Sequence, residues 1–147
     1  MLTLSFLVTE VRHLLIAAAC AKFSALLKLD QFGVIFMATI TAETAGGTQT
    51  FEAPAGKKLV LAIEDAGIDI LHRCGGNARC TTCRVEILAG DPGEIGELER
   101  NRLAVEAGLA ENIRLSCQVR INNNLKIQVV NQVSVRGMDA GPRPLDE

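Results

Sequence analysis

The 147-residue sequence predicts an α+β domain, a mixed roll in which short strands pair around one main helix. Three observations carry this. Ala38–Ala45 alternates apolar and polar residues, and Gly46-Gly47 then separates it from a second strand-like run, Thr48–Glu52, as in a hairpin. Lys58–Ala66 places Leu59, Ala62, Ile63 and Ala66 at helical spacing, with Gly67 as a natural stop. Ile68–Cys83 follows neither period and holds Gly75-Gly76 and three cysteines, so it reads as a long loop on the outside of the roll.

The remaining elements follow in order. Arg84–Leu88 is a short strand closed by Gly90-Asp91-Pro92-Gly93. Glu97–Ala107 returns to helical character, with Leu98, Leu103 and Val105 apolar and Gly108 behind them. Ile113–Val119 and Leu125–Val130 are two more strands, separated by Asn122-Asn123-Asn124. Residues 137–147, with two prolines and two glycines, are expected to form a flexible tail.

The composition changes near Met37, so residues 1–36 are set apart as an N-terminal extension and 37–136 as the domain. The extension is almost wholly apolar, with Glu10, Arg12, Lys22, Lys28 and Asp30 as its only charges. A transmembrane span needs ~20 largely uncharged residues, and Lys22 and Lys28 interrupt this one. A signal peptide has a basic start, whereas the first charge here is Glu10. A transit peptide is rich in Arg and Ser, and this segment has one Arg and two Ser. Ala17-Ala18-Ala19-Cys20 weakly resembles a lipoprotein cleavage site, but the uncharged stretch before it is short. Three alternatives stand: a mis-assigned start with Met37 as the true one, an amphipathic helix, or a targeting segment. Cys20 is expected to be an unligated thiol.

Composition excludes several classes of function. The chain is 48% hydrophobic and 22% charged, which fits a folded domain. A net charge of −2 gives no reason to expect a nucleic-acid partner. With five Phe, no Tyr and no Trp, the chain lacks the stacking platforms of a single-strand binder. No G-x-G-x-x-G follows a strand-like run, and no catalytic triad or paired acid–base site appears. His13 and His72 are the only histidines, and neither has a catalytic neighbour in sequence.

The cysteines are the informative residues. Cys74-x5-Cys80-x2-Cys83 is followed, after 33 residues, by Cys117, and Cys20 stands alone. An odd count with tight clustering argues against a secreted disulfide framework and for a metal site. Four thiolates complete the coordination of two irons bridged by two sulfides, two per iron. Such a group carries a formal charge of about −2, or about −3 once reduced, and needs donors around it. Gly75 and Gly76 lack a Cβ, so their N–H groups are expected close to sulfur. Thr81 and Thr82 can add hydroxyl or amide donors, and Arg79 positive charge. A structural zinc site would also accept four thiolates, but it usually shows two C-x2–4-C pairs, and this chain has one.

The segment Ile68–Cys83, with Cys74-Gly75-Gly76-Asn77-Ala78-Arg79-Cys80-Thr81-Thr82-Cys83 at its end, resembles the cluster loop of [2Fe–2S] ferredoxins. Arg114-Leu115-Ser116-Cys117-Gln118 is similar to the segment bearing their fourth ligand. The resemblance covers about Ala38 to Val130. It implies a β-grasp (ubiquitin-like) fold with a long cluster-binding loop, and one [2Fe–2S] cluster per chain on Cys74, Cys80, Cys83 and Cys117. It further implies that Cys74 and Cys80 hold the iron nearer the surface, which takes the electron, and Cys83 and Cys117 the inner one. The five-residue first gap is unlike plant-type spacing and similar to the adrenodoxin-like branch, which serves cytochrome monooxygenases and iron–sulfur assembly.

The function so implied is a one-electron carrier rather than an enzyme. It would shuttle electrons from a ferredoxin reductase to acceptor proteins through transient contacts, as a monomer without stable membrane insertion. The bacterial cytoplasm is the expected compartment, with an organelle matrix as the alternative. The alternative function is a permanent ferredoxin component of a multisubunit oxygenase or dehydrogenase. A redox-sensing regulator would need an output element such as a DNA-reading helix, and the sequence shows none. Adrenodoxin-like proteins dock through an acidic helix, and Asp91, Glu94, Glu97 and Glu99 occupy that stretch here. Such a face would steer in a basic reductase; an ordinary solvated helix face is the other reading. His72 and Arg73, beside the first cysteine, are read either as solvent-gating or partner contacts or as plain surface.

Overall fold

The computed structural model describes residues 36–147; the expectations for the extension, Cys20 included, lie outside them. The first two strands, β1 (Met37–Thr44) and β2 (Gly47–Pro54), form an antiparallel hairpin running from Met37 opposite Pro54 to Thr44 opposite Gly47. Ala38, Ile40 and Ala42 of β1 are buried, while Thr39 and Thr41 face outward and meet Glu52 (2.7 Å) and Thr50 (3.3 Å) across the hairpin. A slip of one residue would drive these threonines into the core, so the alternation fixes the register.

The sheet order is β2-β1-β5-β3-β4, where β3 is Arg84–Ala89, β4 Ile113–Leu115 and β5 Leu125–Val129. β5 runs parallel to β1, and β3 is antiparallel to both β5 and β4. Leu125, Ile127 and Val129 enter the core while Lys126 and Gln128 stay outside, the same device as in β1. The helix α1 (Leu59–Asp65) supplies Leu59 to Ile63, all buried, to the same core. Burial of each such Leu, Ile or Val stabilises by about 1.5–3 kcal/mol. Its end is as the sequence indicates: Gly67 takes a positive φ, its N–H reaches Glu64 O, and Ile68 N–H reaches Ile63 O. This is the α+β β-grasp arrangement.

Three segments depart from expectation. The strand expected over Ile113–Val119 stops at Leu115, because the chain turns there: the N–H groups of Gln118 and Val119 both reach Leu115 O. The turn returns Ser116 O to Val60 N–H and Val119 O to Leu59 N–H, so Cys117 is held against the start of α1. The second helix, α2 (Glu97–Ala104), ends short of Ala107. A four-residue helix, α3 (Val133–Arg136), was not expected; the Asp69 carboxylate accepts its Ser134 N–H at 2.6 Å.

The residues expected as a flexible tail lie instead against the domain. Ala140 O accepts His72 N–H (2.8 Å), Leu145 O accepts Lys58 Nζ (2.6 Å), and Asp146 pairs with Arg120 (2.7 Å). Arg143 pairs with Glu64 and Asp65 on α1, and Lys57 together with Arg143 holds the Asp65 carboxyl below its usual range. Pro144, close to the end of the chain, is buried. Local composition signals a tail, but each of these partners lies far away in sequence.

Candidate metal centre

The loop between α1 and β3 carries Cys74, Cys80 and Cys83, and the turn after β4 carries Cys117. The loop is braced from below. Leu71 N–H reaches Asn131 O, Asn131 Nδ2 reaches Thr82 O (3.0 Å), and Ser116 donates both N–H and Oγ–H to Cys83 O (3.1 and 2.8 Å). The last two bonds lock the Cys83 end of the loop to the Cys117 turn across 33 residues of sequence.

The four cysteines come together as two pairs. Cys83 and Cys117 are buried, with their sulfurs 3.4 Å apart, whereas Cys74 and Cys80 are half-exposed free thiols that influence each other on the loop. Cys83 donates to Cys117. That bond holds the Cys117 thiol down at about 6 against its burial, helped by Gln118 Nε2 and the Ala78 N–H. The same bond, with burial, pushes the Cys83 thiol well up. Burial also pushes the Cys74 thiol up, yet the N–H groups of Arg79, Cys80 and Asn77 and the Cys80 thiol outweigh it, and it lies below its usual value. At Cys74 and Cys117 donors are thus already aimed at sulfur, which favours thiolate there, the form that binds metal.

The surrounding residues match expectation unevenly. Thr82 Oγ1 lies 3.1 Å from Cys80 Sγ and also accepts Arg73 N–H. Thr81 turns away, its hydroxyl 3.4 Å from Glu106. Arg79 contributes its N–H to Cys74, and its side chain is exposed. Gly75 spends its N–H on His72 O rather than on sulfur (2.8 Å). Gly75 and Gly76 are needed for their positive φ and for lack of a Cβ, which in Gly76 would come 2.8 Å from Pro144. Gln118, Asn77 and Ala78 were not anticipated as site residues. Gln118 Nε2 reaches Cys117 Sγ (3.4 Å) and Gly76 O (2.8 Å), Asn77 Nδ2 reaches Cys74 O (2.7 Å), and Ala78 has a φ of 50°. Adjacency to Cys117 was the only signal for Gln118.

Two surface readings are corrected. His72 is buried, 1% exposed, with Nε2 2.8 Å from Glu64, so it is neither a partner contact nor plain surface; Arg73 is exposed. Glu99 is 1% exposed and turned inward onto Arg114, so it leaves the acidic stretch; Asp91, Glu94 and Glu97 stay exposed.

The family model of the 2Fe-2S iron-sulfur cluster binding domain matches residues 43–122, more than half of the chain. The chain belongs to this family. A solved ISC-like [2Fe-2S] ferredoxin of Pseudomonas putida is similar at 29% identity and a TM-score of 0.58, over 63% of this chain and 92% of that one. A ferredoxin of Rhodopseudomonas palustris is similar at 30% identity and a TM-score of 0.54, over 64% and 98%. Among curated relatives, a component of the Na(+)-translocating NADH-quinone reductase of Methylococcus capsulatus is 38% identical over 87 residues, 59% of this chain. Its counterpart in Yersinia pestis is 36% identical over 85 residues, 58% of this chain. The chain spans about a fifth of the length of these curated relatives.

The family's cofactor is a [2Fe–2S] cluster, and this ferredoxin domain is an electron carrier. The donor set fits the group: two pairs of soft ligands, one buried and one near the surface, with N–H groups already directed at sulfur. Among the described residues no helix is long and apolar enough to cross a membrane.

Proposed function

We propose that the chain is a ferredoxin that passes single electrons from a reductase to acceptor proteins through transient contacts, with Cys74, Cys80, Cys83 and Cys117 as the cluster ligands. The observation that carries the reading is the pairing of the cysteines, one pair sealed in the core and the other half-exposed on a braced loop. When bound, the cluster accepts and releases one electron at the edge of the protein. The chain's own residues do the rest. Cys83 and Cys117 would anchor the group to the core, through the Ser116 bonds that tie loop to turn. Cys74 and Cys80 are half-exposed, so a docked partner would approach the group from their side. The N–H groups at Cys74 and Cys117 offset part of the added charge.

A second reading is supported by the curated relatives, which are named as parts of a larger reductase and are about five times as long as the matched part. Here the same domain would serve as a fixed component of a multisubunit oxidoreductase. Co-purification from its own host at stoichiometric yield favours this reading; recovery as a free monomer favours the first.

Anaerobically purified protein should be red-brown, contain about two irons and two sulfides per chain, and gain an EPR signal on one-electron reduction. A colourless protein with one zinc would overturn the proposal. Within it, Gln118→Leu should lower the reduction potential by on the order of tens of millivolts, because a donor to sulfur stabilises the reduced state. A potentiometric EPR titration reads this, and an unchanged value would remove Gln118 from the site.

A further inference from the structure

The segment that composition marks as a tail crosses the cysteine loop, and its contacts there are close. A Cβ on Gly141 would lie 2.5 Å from Arg73 Cα, and Gly141 has a φ of 96°, so the strap approaches the loop as only glycine allows. Next to it, Pro142 Cγ lies 3.1 Å from where a Cβ on Gly75 would be, and Pro144 Cβ 2.8 Å from one on Gly76. Two glycines on the loop therefore face two prolines on the strap. Anchors hold the crossing at both ends: His72 N–H on Ala140 O before it, and Lys58 and Arg120 on Leu145 and Asp146 after it. Between them Arg143 pairs with Glu64, whose other oxygen meets His72 two residues before Cys74.

Resting on the cluster reading above, we propose that Gly141, Pro142 and Pro144 are positioning residues of that site. They press rigid apolar rings onto the Gly75-Gly76 turn, keep water from that turn while the Cys74 side chain stays half-exposed, and so set the reduction potential and the retention of iron. The sign follows from charge. Reduction adds a negative charge, which water stabilises better than proline rings do, so the seal holds the potential down. Rigid rings suit the task because proline has little conformational freedom to lose on packing.

The test uses the full chain. Gly141→Val alters no charge and cannot keep the strap against Arg73; Pro142→Gly with Pro144→Gly keeps the strap and strips the rings. Both variants should titrate at a more positive potential than the unaltered protein and release iron to a chelator severalfold faster. A strap with a merely structural role would lower the unfolding midpoint and leave the potential in place, and that result overturns the proposal. If Gly141→Val does not fold, the proline variant alone decides. If the unaltered protein carries no cluster, the reading beneath fails; if it carries one and the potentials match, only the strap proposal fails.

Discussion

Cys117→Ser is expected to give a colourless or unstable protein, with iron falling from about two per chain to almost none. Cys117 has no exposed surface, its sulfur lies 3.4 Å from that of Cys83, and both side chains belong to the main hydrophobic cluster. A serine there offers a hard oxygen where a soft thiolate suits iron. It also puts a hydroxyl into the core, where it has lost the metal and gained no water. Cys83→Ser should behave alike, since the Ser116 bonds tie both residues into one unit. Cys80→Ser is a different case: its side chain is half-exposed beside the Thr82 hydroxyl, and water can compensate there. That variant should keep part of its colour. Iron and sulfide analysis with visible absorbance separates the cases, and a brown, fully loaded Cys117→Ser protein would contradict the ligand assignment.

β2 and β3 were legible from their bounding glycines, and α1 from the helical spacing before Gly67. β1 and β5 were legible because each buries one face, and the period of its apolar residues reports that burial directly. Ala38, Ile40 and Ala42 are such a case, and Leu125, Ile127 and Val129 another. Ile113–Val119 misleads for the same reason. Leu115, Cys117 and Val119 are all buried, as in a strand, but a tight turn buries them as well. That the four cysteines come together was legible from their spacing and from the resemblance of the segments that carry them. The donors around them were not, because donation by a backbone N–H depends on φ and ψ rather than on residue type. Arg79 and Ala78 act through the main chain, and Gly75, chosen for a free N–H, uses that group on His72.

The strap shows the same limit at longer range. Gly-Pro-Arg-Pro composition says only that the segment is neither helix nor strand. What fixes it are Lys58, Glu64, Asp65 and Arg120, which lie 26 to 88 residues away. A local reading therefore expects mobility wherever long-range partners do the holding.

The acidic stretch leads to the second large effect. Glu99 was expected on the docking face, yet its two oxygens accept Arg114 Nε and Nη2 at 2.9 Å each, and Oε1 also accepts Leu115 N–H at 2.6 Å. Arg114 in turn donates to Gly93 O and Glu94 O, so the pair fixes the loop before α2 to the β4 edge. Both side chains are buried, and removal of one partner leaves an uncompensated charge, at a cost of about 3–5 kcal/mol. Glu99→Ala and Arg114→Ala should each lower stability by that order, visible as an earlier midpoint in anaerobic urea unfolding. Glu99→Leu combined with Arg114→Met removes both charges and should recover part of the loss. Recovery stays incomplete, because Leu115 N–H keeps no acceptor and a buried orphan donor costs about 1–3 kcal/mol. Neither single variant should change the salt dependence of electron transfer to a basic partner, since neither charge faces solvent. Glu97→Gln, on the exposed face of α2, should change that dependence and leave the midpoint where it was. A salt response at Glu99 with an unmoved midpoint would place that carboxylate back on the surface and restore the acidic face in full.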